Sequence, residues 1–211
     1  MGQKISPISL RVGVYKDWKA RWFSDRRYSV FLKEDFEIRE YLEKKLRGMG
    51  VHQIEIERSP DVLTVIITTS RPGLIIGRSG SGIDELRKSI VRMVKRKTAV
   101  KLDVHEFKNP ESSARIVSEM MAEQIEKRIQ YRRVLKQSLA KILANKEVKG
   151  AKVTLSGRLD GNDIARTEHL EQGSLPLQTL RANVDYAQAT AYTTYGTVGI
   201  KVWIYKGMRY E

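Results

Sequence analysis

The chain has 211 residues, of which 41% are hydrophobic and 30% are charged, a balance typical of a folded protein and not of a disordered one. Its net charge of +14 favours a polyanionic partner, either a nucleic acid or an anionic membrane surface. No apolar run approaches the ~20 residues that span a bilayer, and the absence of cysteine excludes disulfides and thiolate metal sites, so we expect a cytoplasmic protein that binds nucleic acid and no membrane.

The first predicted element is a basic arm over residues 1–33, whose poor apolar periodicity indicates an extended segment with a short ordered piece around its tryptophans. Indoles can stack on unpaired bases, but aromatic residues are often buried anchors, so we favour packing of Trp18 and Trp22 against the next domain. The cations of the arm either contact phosphates or are solvated. They are Lys4, Arg11, Lys16, Lys19, Arg21, Arg26 and Arg27.

A helix and two strands are predicted next. Apolar residues at helical spacing predict a helix over 34–47, which two nearby glycines would end. Alternation over 51–58 predicts a half-buried strand, and the β-branched run over 62–68 predicts a central one.

The most informative stretch is a G-x-x-G turn of Gly77, Arg78, Ser79 and Gly80, followed by a helix that we predict to end near Arg96. Glycine is needed at both ends of the turn, because a side chain there would hold a phosphodiester chain away from the backbone. The N–H groups that open the helix, together with Arg78, would donate to phosphates. A loop of this kind resembles that of the K-homology domain, which binds single-stranded nucleic acid.

A third strand near residues 100–104 completes the order α-β-β-α-α-β, which is similar to the type II K-homology arrangement of prokaryotes. We predict that this domain spans 34–109. It would close at Asn109 and Pro110, since asparagine favours a helix cap and proline a first helical position.

The second half, 110–211, is predicted to be a two-layer α+β domain. It opens with helix over 110–144, broken or offset near 128–130, whose second part carries an apolar stripe. Alternation and turn signals then predict three or four strands. They lie over 152–156, 163–169, 180–190 and 197–205.

Three cations lie beside the apolar stripe of the second helical part. Arg132, Arg133 and Lys136 share one patch, because residues three or four apart are neighbours on a helix. Like charges this close repel each other, which suggests a partner that neutralises them. A solvated basic face is the alternative.

Several stretches of the chain form motifs that occur in a fixed order. They are Gly2-Gln3-Lys4 with Pro7, Trp18 with Trp22-Phe23, Arg71-Pro72-Gly73 with the G-x-x-G turn, Tyr131-Arg132-Arg133, Ser156-Gly157-Arg158-Leu159, Ile164-Ala165-Arg166-Thr167-Glu168, Pro176-Leu177, Thr179-Leu180-Arg181-Ala182 and Thr193-Thr194-Tyr195-Gly196 with Gly199–Ile204. Together these motifs resemble the bacterial family of small-subunit ribosomal protein number three, over nearly the whole chain. The last block is the most specific of them.

This resemblance implies a structural constituent of the head of the small ribosomal subunit that binds ribosomal RNA during translation. The second half would line the channel by which messenger RNA enters, where Arg132, Arg133 and Lys136 would grip the strand and assist its unwinding without an ATP site. Head proteins of the families numbered ten and fourteen would be neighbours, with family two as a further candidate.

Three more arginines fall in the matched motifs, namely Arg158, Arg166 and Arg181. We expect them to reach ribosomal RNA or to hold the edge of the sheet. Ion pairs within the protein are an equally weighted alternative, with Asp163, Glu168 or Asp185 as partners.

Two features depart from the family pattern. The interior of the turn, Arg78-Ser79, has one basic residue where many relatives carry two, so we expect weaker phosphate attraction there. The sequence ends at Glu211 without the longer basic tail of some relatives.

Two rival functions stay open on the residues alone. A free-standing K-homology regulator would usually carry several copies of the domain, because one copy binds only about four nucleotides. The less favoured rival is an enzyme. No G-K-[ST] follows the turn, which argues against a nucleotide-binding loop, and His52, His105 and His169 are isolated. An RNA-processing nuclease stays open, because its Asp and Glu residues would be brought together only in the fold. We therefore predict that the protein is no enzyme and has no catalytic residue, cofactor, metal or small-molecule substrate.

Overall fold

The computed structural model of the protein describes residues 4–94 and 98–209. They form two compact units, one from the described part of Trp18–Lys108 and the other from the described parts of Met1–Asp17 and Asn109–Glu211. Each unit contains a four-stranded sheet, and the predicted α+β class is confirmed. Within the described ranges, no helix is long and apolar enough to cross a membrane.

The first unit is a sheet with the strand order β1-β2-β3-β4 and three helices. Its elements are β1 (Ala20–Arg21), α1 (Tyr28–Lys45), β2 (Val51–Arg58), β3 (Val62–Thr69), α2 (Pro72–Ile76), α3 (Ser81–Met93) and β4 (Ala99–Glu106). β2 is antiparallel to β3, whereas β4 runs parallel to β3 and β1 runs parallel to β2. From α1 onward the order is α-β-β-α-α-β, as predicted.

The core of this unit lies on one face of the sheet. Leu63, Val65 and Ile67 alternate along β3 and are fully buried, because successive side chains of a strand point to opposite faces. They belong to one cluster with Ile38 of α1 and Ile90 of α3. This packing fixes which face of α3 points outward.

Two helix boundaries differ from the prediction. The helix predicted over 34–47 spans Tyr28–Lys45. Its earlier start is stabilised by Phe31, whose ring packs edge-on against Trp22 at a centroid distance of 5.5 Å and lies 4.7 Å from the Arg58 guanidinium. The predicted end of the next long helix near Arg96 lies outside the described residues.

The second unit is a two-layer α+β structure, as predicted. Its elements are α4 (Ala114–Glu126), α5 (Tyr131–Ala144), β5 (Gly150–Gly157), β6 (Arg166–Gly173), β7 (Ala182–Thr193) and β8 (Gly196–Met208). The strands are antiparallel in the order β6-β5-β8-β7, so β6 and β7 are the edges. Met121 of α4 and Leu139 of α5 pack in one core with Val153, Ile200 and Val202 of the sheet.

The helix predicted over 110–144 is indeed broken near 128–130. Arg128 adopts a φ of 60°, in the left-handed region, which ends one helix before the next begins. The predicted start is corrected, since Pro110 opens only a three-residue turn and Ser113 caps α4 by accepting a hydrogen bond from the Ile116 nitrogen at 3.4 Å.

The edge strands begin later than predicted. The strand expected over 163–169 spans Arg166–Gly173, and the one expected over 180–190 spans Ala182–Thr193. Before β6 the chain makes a tight turn at Leu159–Gly161, where Asp160 has a φ of 52°. After that turn residues 162–165 continue outside any strand, so β6 begins at Arg166.

The predicted division into 1–33, 34–109 and 110–211 follows the motifs, whereas the contacts divide the basic arm after Asp17. The reason lies in two side chains. Arg11 is buried among backbone carbonyls of the second unit, and Trp22 donates a hydrogen bond to Asp35 of α1 at 2.7 Å. Each half of the arm is thus held by the unit that its own anchor contacts.

Candidate nucleic-acid interface

The G-x-x-G loop joins α2 to α3, and three of its four residues have positive φ: Gly77 at 71°, Ser79 at 53° and Gly80 at 83°. A Cβ added at Gly80 would meet no atom within 4 Å, so the loop leaves open space on that side. Arg78 and Ser79 are exposed. The loop therefore has the shape that close approach of a phosphodiester backbone needs.

Gly82 is a requirement that the sequence reasoning missed. A Cβ at this position would lie 2.4 Å from the Ile75 carbonyl oxygen and 3.1 Å from that of Ile76. The first turn of α3 can therefore pass close to the end of α2 only with glycine here. A third glycine at this spacing was the available signal.

The outer face of α3 was also missed. It holds an open cleft of about 420 Å³ lined by Asp84, Arg87, Lys88, Val91 and Arg92. Three cations against one carboxylate make the cleft positive, which suits phosphate. Only the helical spacing of these cations could have indicated it.

The second candidate surface is the α5 patch, defined as Arg132, Arg133 and Lys136. All three side chains are exposed, whereas Val134 and Leu135 between them are buried. The buried residues fix the rotation of the helix, so the cations are held toward solvent.

Arg132 differs from the other two members because it is restrained. Its Nε donates to the Tyr131 hydroxyl at 3.1 Å, and that hydroxyl donates to Glu168 at 2.8 Å. The Arg132 guanidinium also lies 3.8 Å from the Glu168 carboxylate. The Tyr131 hydroxyl, and secondarily the charges of Tyr131 and Glu168, raise the pKa of Arg132. In the part of the chain that the structure describes, Arg133 and Lys136 have no ion-pair partner.

A loop from β5 to β6 supports the start of α5. Asp160 accepts a hydrogen bond from the Tyr131 nitrogen at 3.5 Å, which satisfies one of the free N–H groups at the helix start. Arg158 holds the same loop, donating to the carbonyl oxygen of Asn162 at 3.0 Å, to that of Tyr195 at 3.1 Å and to Asp163 at 3.0 Å. Of the two interpretations for Arg158, the structure contains the ion pair.

Arg166 and Arg181 are exposed at the starts of the two edge strands. The carboxylates considered as their partners are engaged elsewhere: Glu168 with Tyr131, and Asp185 with Lys16 and the Ala114 nitrogen. The expectation that these two arginines reach ribosomal RNA stays a prediction.

The structure corrects the prediction for Arg11. This side chain is fully buried, and its guanidinium donates to the carbonyl oxygens of Pro7 at 2.9 Å, Leu177 at 2.8 Å, Thr179 at 2.9 Å and Ala182 at 2.8 Å. Its donors are consumed by the fold, so it cannot bind a phosphate. One of these acceptors, Ala182, is the first residue of edge strand β7, so Arg11 ties the N-terminal segment to the start of that strand.

Lys16 contributes to the same anchor. Its Nζ donates to the Val184 carbonyl oxygen at 3.0 Å and lies 3.8 Å from Asp185. Burial lowers the pKa of Lys16, and the charge of Asp185 opposes that shift. Its charge is therefore shared with the protein before any ligand arrives.

The other predicted cations of the arm, Lys4, Lys19, Arg21, Arg26 and Arg27, are exposed, and Arg21 also pairs with Glu57 at 2.9 Å. The tryptophans behave differently from each other. The packing predicted for both is confirmed for Trp22, whereas it is wrong for Trp18, which is 67% exposed. His52 stacks on Phe107 at 4.3 Å, and among the described residues no group of His, Asp or Glu could hold a metal.

Comparison with known proteins gives two matching family models, the KH domain over residues 37–112 and the ribosomal protein S3 C-terminal domain over residues 121–204. The small ribosomal subunit protein uS3 of Caldicellulosiruptor saccharolyticus is 48% identical over 208 residues, which cover 98% of this chain and 93% of that protein. The protein of the same name from Exiguobacterium sibiricum is 47% identical over 207 residues, 98% of this chain and 94% of its own. The one from Synechocystis sp. is 45% identical over 208 residues, 98% of this chain and 86% of its own. The matched range of the first model contains the G-x-x-G loop, and that of the second contains the α5 patch.

Proposed function

The chain belongs to the ribosomal protein S3 family of the bacterial small subunit, and from that premise we propose that its α5 patch grips messenger RNA as the strand enters the ribosome. As a member, the protein is a structural constituent of the small ribosomal subunit, works in translation on the ribosome and partners ribosomal RNA. The family is one of ribosomal constituents and not of enzymes, which favours this function over a free regulator or a nuclease.

One observation carries the proposal. Arg133 and Lys136 project into solvent from a helix whose opposite face is locked into the core, and neither is neutralised by a carboxylate in the described part of the chain. Surface cations held in this way bind phosphates by releasing counterions, without reading the bases. Such contacts suit a messenger strand, whose sequence changes continuously.

The same contacts explain how unwinding would be assisted. Cations that hold the phosphates of a single strand lower the free energy of the open form of a downstream duplex relative to the paired form. The ribosome would supply the movement, so no ATP site is required. Arg132 would contribute less than its neighbours because Glu168 shares its charge.

Ribosomal RNA would be contacted at several other exposed positions. We assign to it the loop of Gly77, Arg78, Ser79 and Gly80, together with the remaining exposed cations. The cations are Lys4, Lys19, Arg21, Arg26, Arg27, Arg166 and Arg181. Lys16 and Arg158 would bind more weakly because their donors are already shared, and head proteins of families ten, fourteen and two are proposed as neighbours.

The experiment uses small subunits reconstituted with the full chain carrying Arg133→Ala and Lys136→Ala. We expect normal assembly, unchanged translation of an unstructured message, and about fivefold slower passage through a message with a stable hairpin, since two phosphate contacts are lost. Lys141→Ala removes an exposed charge one turn beyond the patch and should have no effect. Equal slowing on both messages, or the same slowing with Lys141→Ala, would contradict the proposal.

A further inference from the structure

The hairpin between β7 and β8 carries Tyr195, a residue of the most specific motif that no proposed contact yet uses. Its side chain is 52% exposed. Its carbonyl oxygen accepts a hydrogen bond from Arg158 at 3.1 Å, which fixes the backbone at the tip. The ring is thus accessible to a ligand while its backbone is held in place.

One face of the Tyr195 ring is covered by the protein. A Cβ at Gly161 would lie 3.2 Å from Cδ2, 3.2 Å from Cε2 and 3.3 Å from Cγ of the ring. Near-equal distances to three adjacent ring carbons place that position over the face of the ring and not at its edge. One face of the ring is therefore directed toward Gly161, where a side chain would fill the gap, and the opposite face is the one that a ligand could reach.

The ring and the α5 patch lie at the same end of their unit. Asp160, which accepts from the first nitrogen of α5, immediately precedes Gly161, which supports the ring. Adjacent α-carbons are about 3.8 Å apart, so one short loop connects the two features. Arg132 and Arg133 directly follow the residue that Asp160 contacts.

The charge at this end favours a polyanion. Two of the carboxylates there are offset by cations, since Asp163 pairs with Arg158 at 3.0 Å and Glu168 lies 3.8 Å from Arg132. Arg133 has no ion-pair partner among the described residues. An open aromatic face next to free cations is the arrangement by which proteins hold single-stranded nucleic acid, with bases on the ring and phosphates on the cations.

We propose that Tyr195 is a stacking site for an unpaired base of the strand that the α5 patch grips. This inference rests on the proposed function, because it concerns the same strand. Stacking is available only to a base outside a duplex, so Tyr195 would make the patch prefer the unwound form. The α5 patch holds either form by charge, and the ring discriminates between them.

The test compares a short single-stranded RNA with an abasic strand of equal length and charge, using the isolated full chain. Arg78→Asp and Ser79→Asp are present in every variant to repel RNA from the G-x-x-G loop, which would otherwise bind bases as well. In this background we expect the base-containing strand to bind about tenfold more tightly than the abasic one, as one stacked base allows.

Tyr195→Leu should lower affinity for the base-containing strand about tenfold and leave the abasic strand unchanged. Tyr195→Phe keeps the ring and should retain the preference. Thermal melting of both variants checks that the hairpin is folded. The inference would be overturned if Tyr195→Leu kept the preference for the base-containing strand, or if it lowered the affinity for both strands equally.

A variant with both Arg133→Ala and Lys136→Ala separates the two proposals, because it should lower the affinity for the base-containing and the abasic strand by the same factor. If that variant binds both strands with unchanged affinity, the proposal that the α5 patch binds messenger RNA is wrong. The stacking proposal is still tested separately, by comparing Tyr195→Leu with Tyr195→Phe.

Discussion

Arg11 and Arg133 belong to the same unit and carry the same guanidinium group, but the fold uses them in opposite ways. Arg11 is fully buried and donates to four carbonyl oxygens at 2.8–2.9 Å. Arg133 lies on the outer face of a helix and donates to no described residue. Arg11 satisfies buried carbonyl oxygens near the start of an edge strand, whereas the charge of Arg133 remains accessible to a ligand.

This difference shows that the density of basic residues along the sequence does not distinguish a cation that stabilises the fold from one that is free to bind RNA. Both arginines lie in basic stretches with aromatic residues nearby. What separates them is whether unsatisfied carbonyls surround the side chain, because a buried acceptor without a donor costs free energy. That information resides in residues 176–182, more than 160 positions along the chain from Arg11.

The largest expected effect tests the structural member of this pair. Arg11→Ala leaves several buried carbonyls without donors, so we expect the free energy of unfolding of the second unit to fall by about 4 kcal/mol. Denaturant unfolding followed by the fluorescence of Trp203, which lies in that unit, measures the loss.

Lys4→Ala is the matched control, since it removes one exposed charge from the same segment and should change stability by less than about 0.5 kcal/mol. The structural role assigned to Arg11 is wrong if the two variants are equally stable, or if Arg11→Ala lowers RNA affinity without lowering the free energy of unfolding.

Arg158 should fall between the two extremes, because it is half-exposed yet donates three hydrogen bonds. We expect Arg158→Ala to lower the local stability of its loop and of the hairpin tip by about 1.5 kcal/mol. Amide hydrogen exchange at residues 159–163 and 194–196 reports that loss. Arg166→Ala, at an exposed position nearby, should leave the same amides unchanged.

The smallest expected effect concerns Arg132, the restrained member of the α5 patch. Glu168→Gln removes the carboxylate 3.8 Å away, so we expect RNA affinity to rise about twofold at low salt. The gain should vanish at high salt, because exposed charges are then screened.

Glu171→Gln makes the same change of charge on the same strand, next to Lys152, and should leave RNA affinity unaltered. If Glu168→Gln weakens binding instead, Glu168 orients Arg132 and does not compete with RNA for it.

Much of the fold could be predicted because periodic apolar residues determine which faces are buried. The G-x-x-G loop, the α-β-β-α-α-β order and the break near Arg128 all depend on neighbours in sequence. Gly82 was missed because the spacing of a third glycine does not show which contact needs it, namely the close approach of α3 to the end of α2, where a Cβ would lie 2.4 Å from the Ile75 carbonyl oxygen. The division of the basic arm was missed for the same reason, since Arg11 and Trp22 find their partners in distant segments.

In the candidate site, helical spacing was enough to group Arg132, Arg133 and Lys136 and to orient them outward. Helical spacing could not show which of the three would bind RNA most strongly, because Arg132 is restrained by Glu168, which lies on a strand. It also could not separate Arg158 from Arg166. The Asp160-Gly161 pair signals a turn, but not that Arg158 folds back onto the carbonyl oxygens of Asn162 and Tyr195.

The burial of Arg11 has a consequence for synthesis. Apart from Pro7, its carbonyl partners lie beyond residue 175, and they flank the start of β7, which pairs with β8 in the described part of the chain. During translation the first segment of the chain must therefore wait while the whole intervening unit emerges and can fold. A chaperone that shields nascent basic segments would have its longest task at this end of the protein.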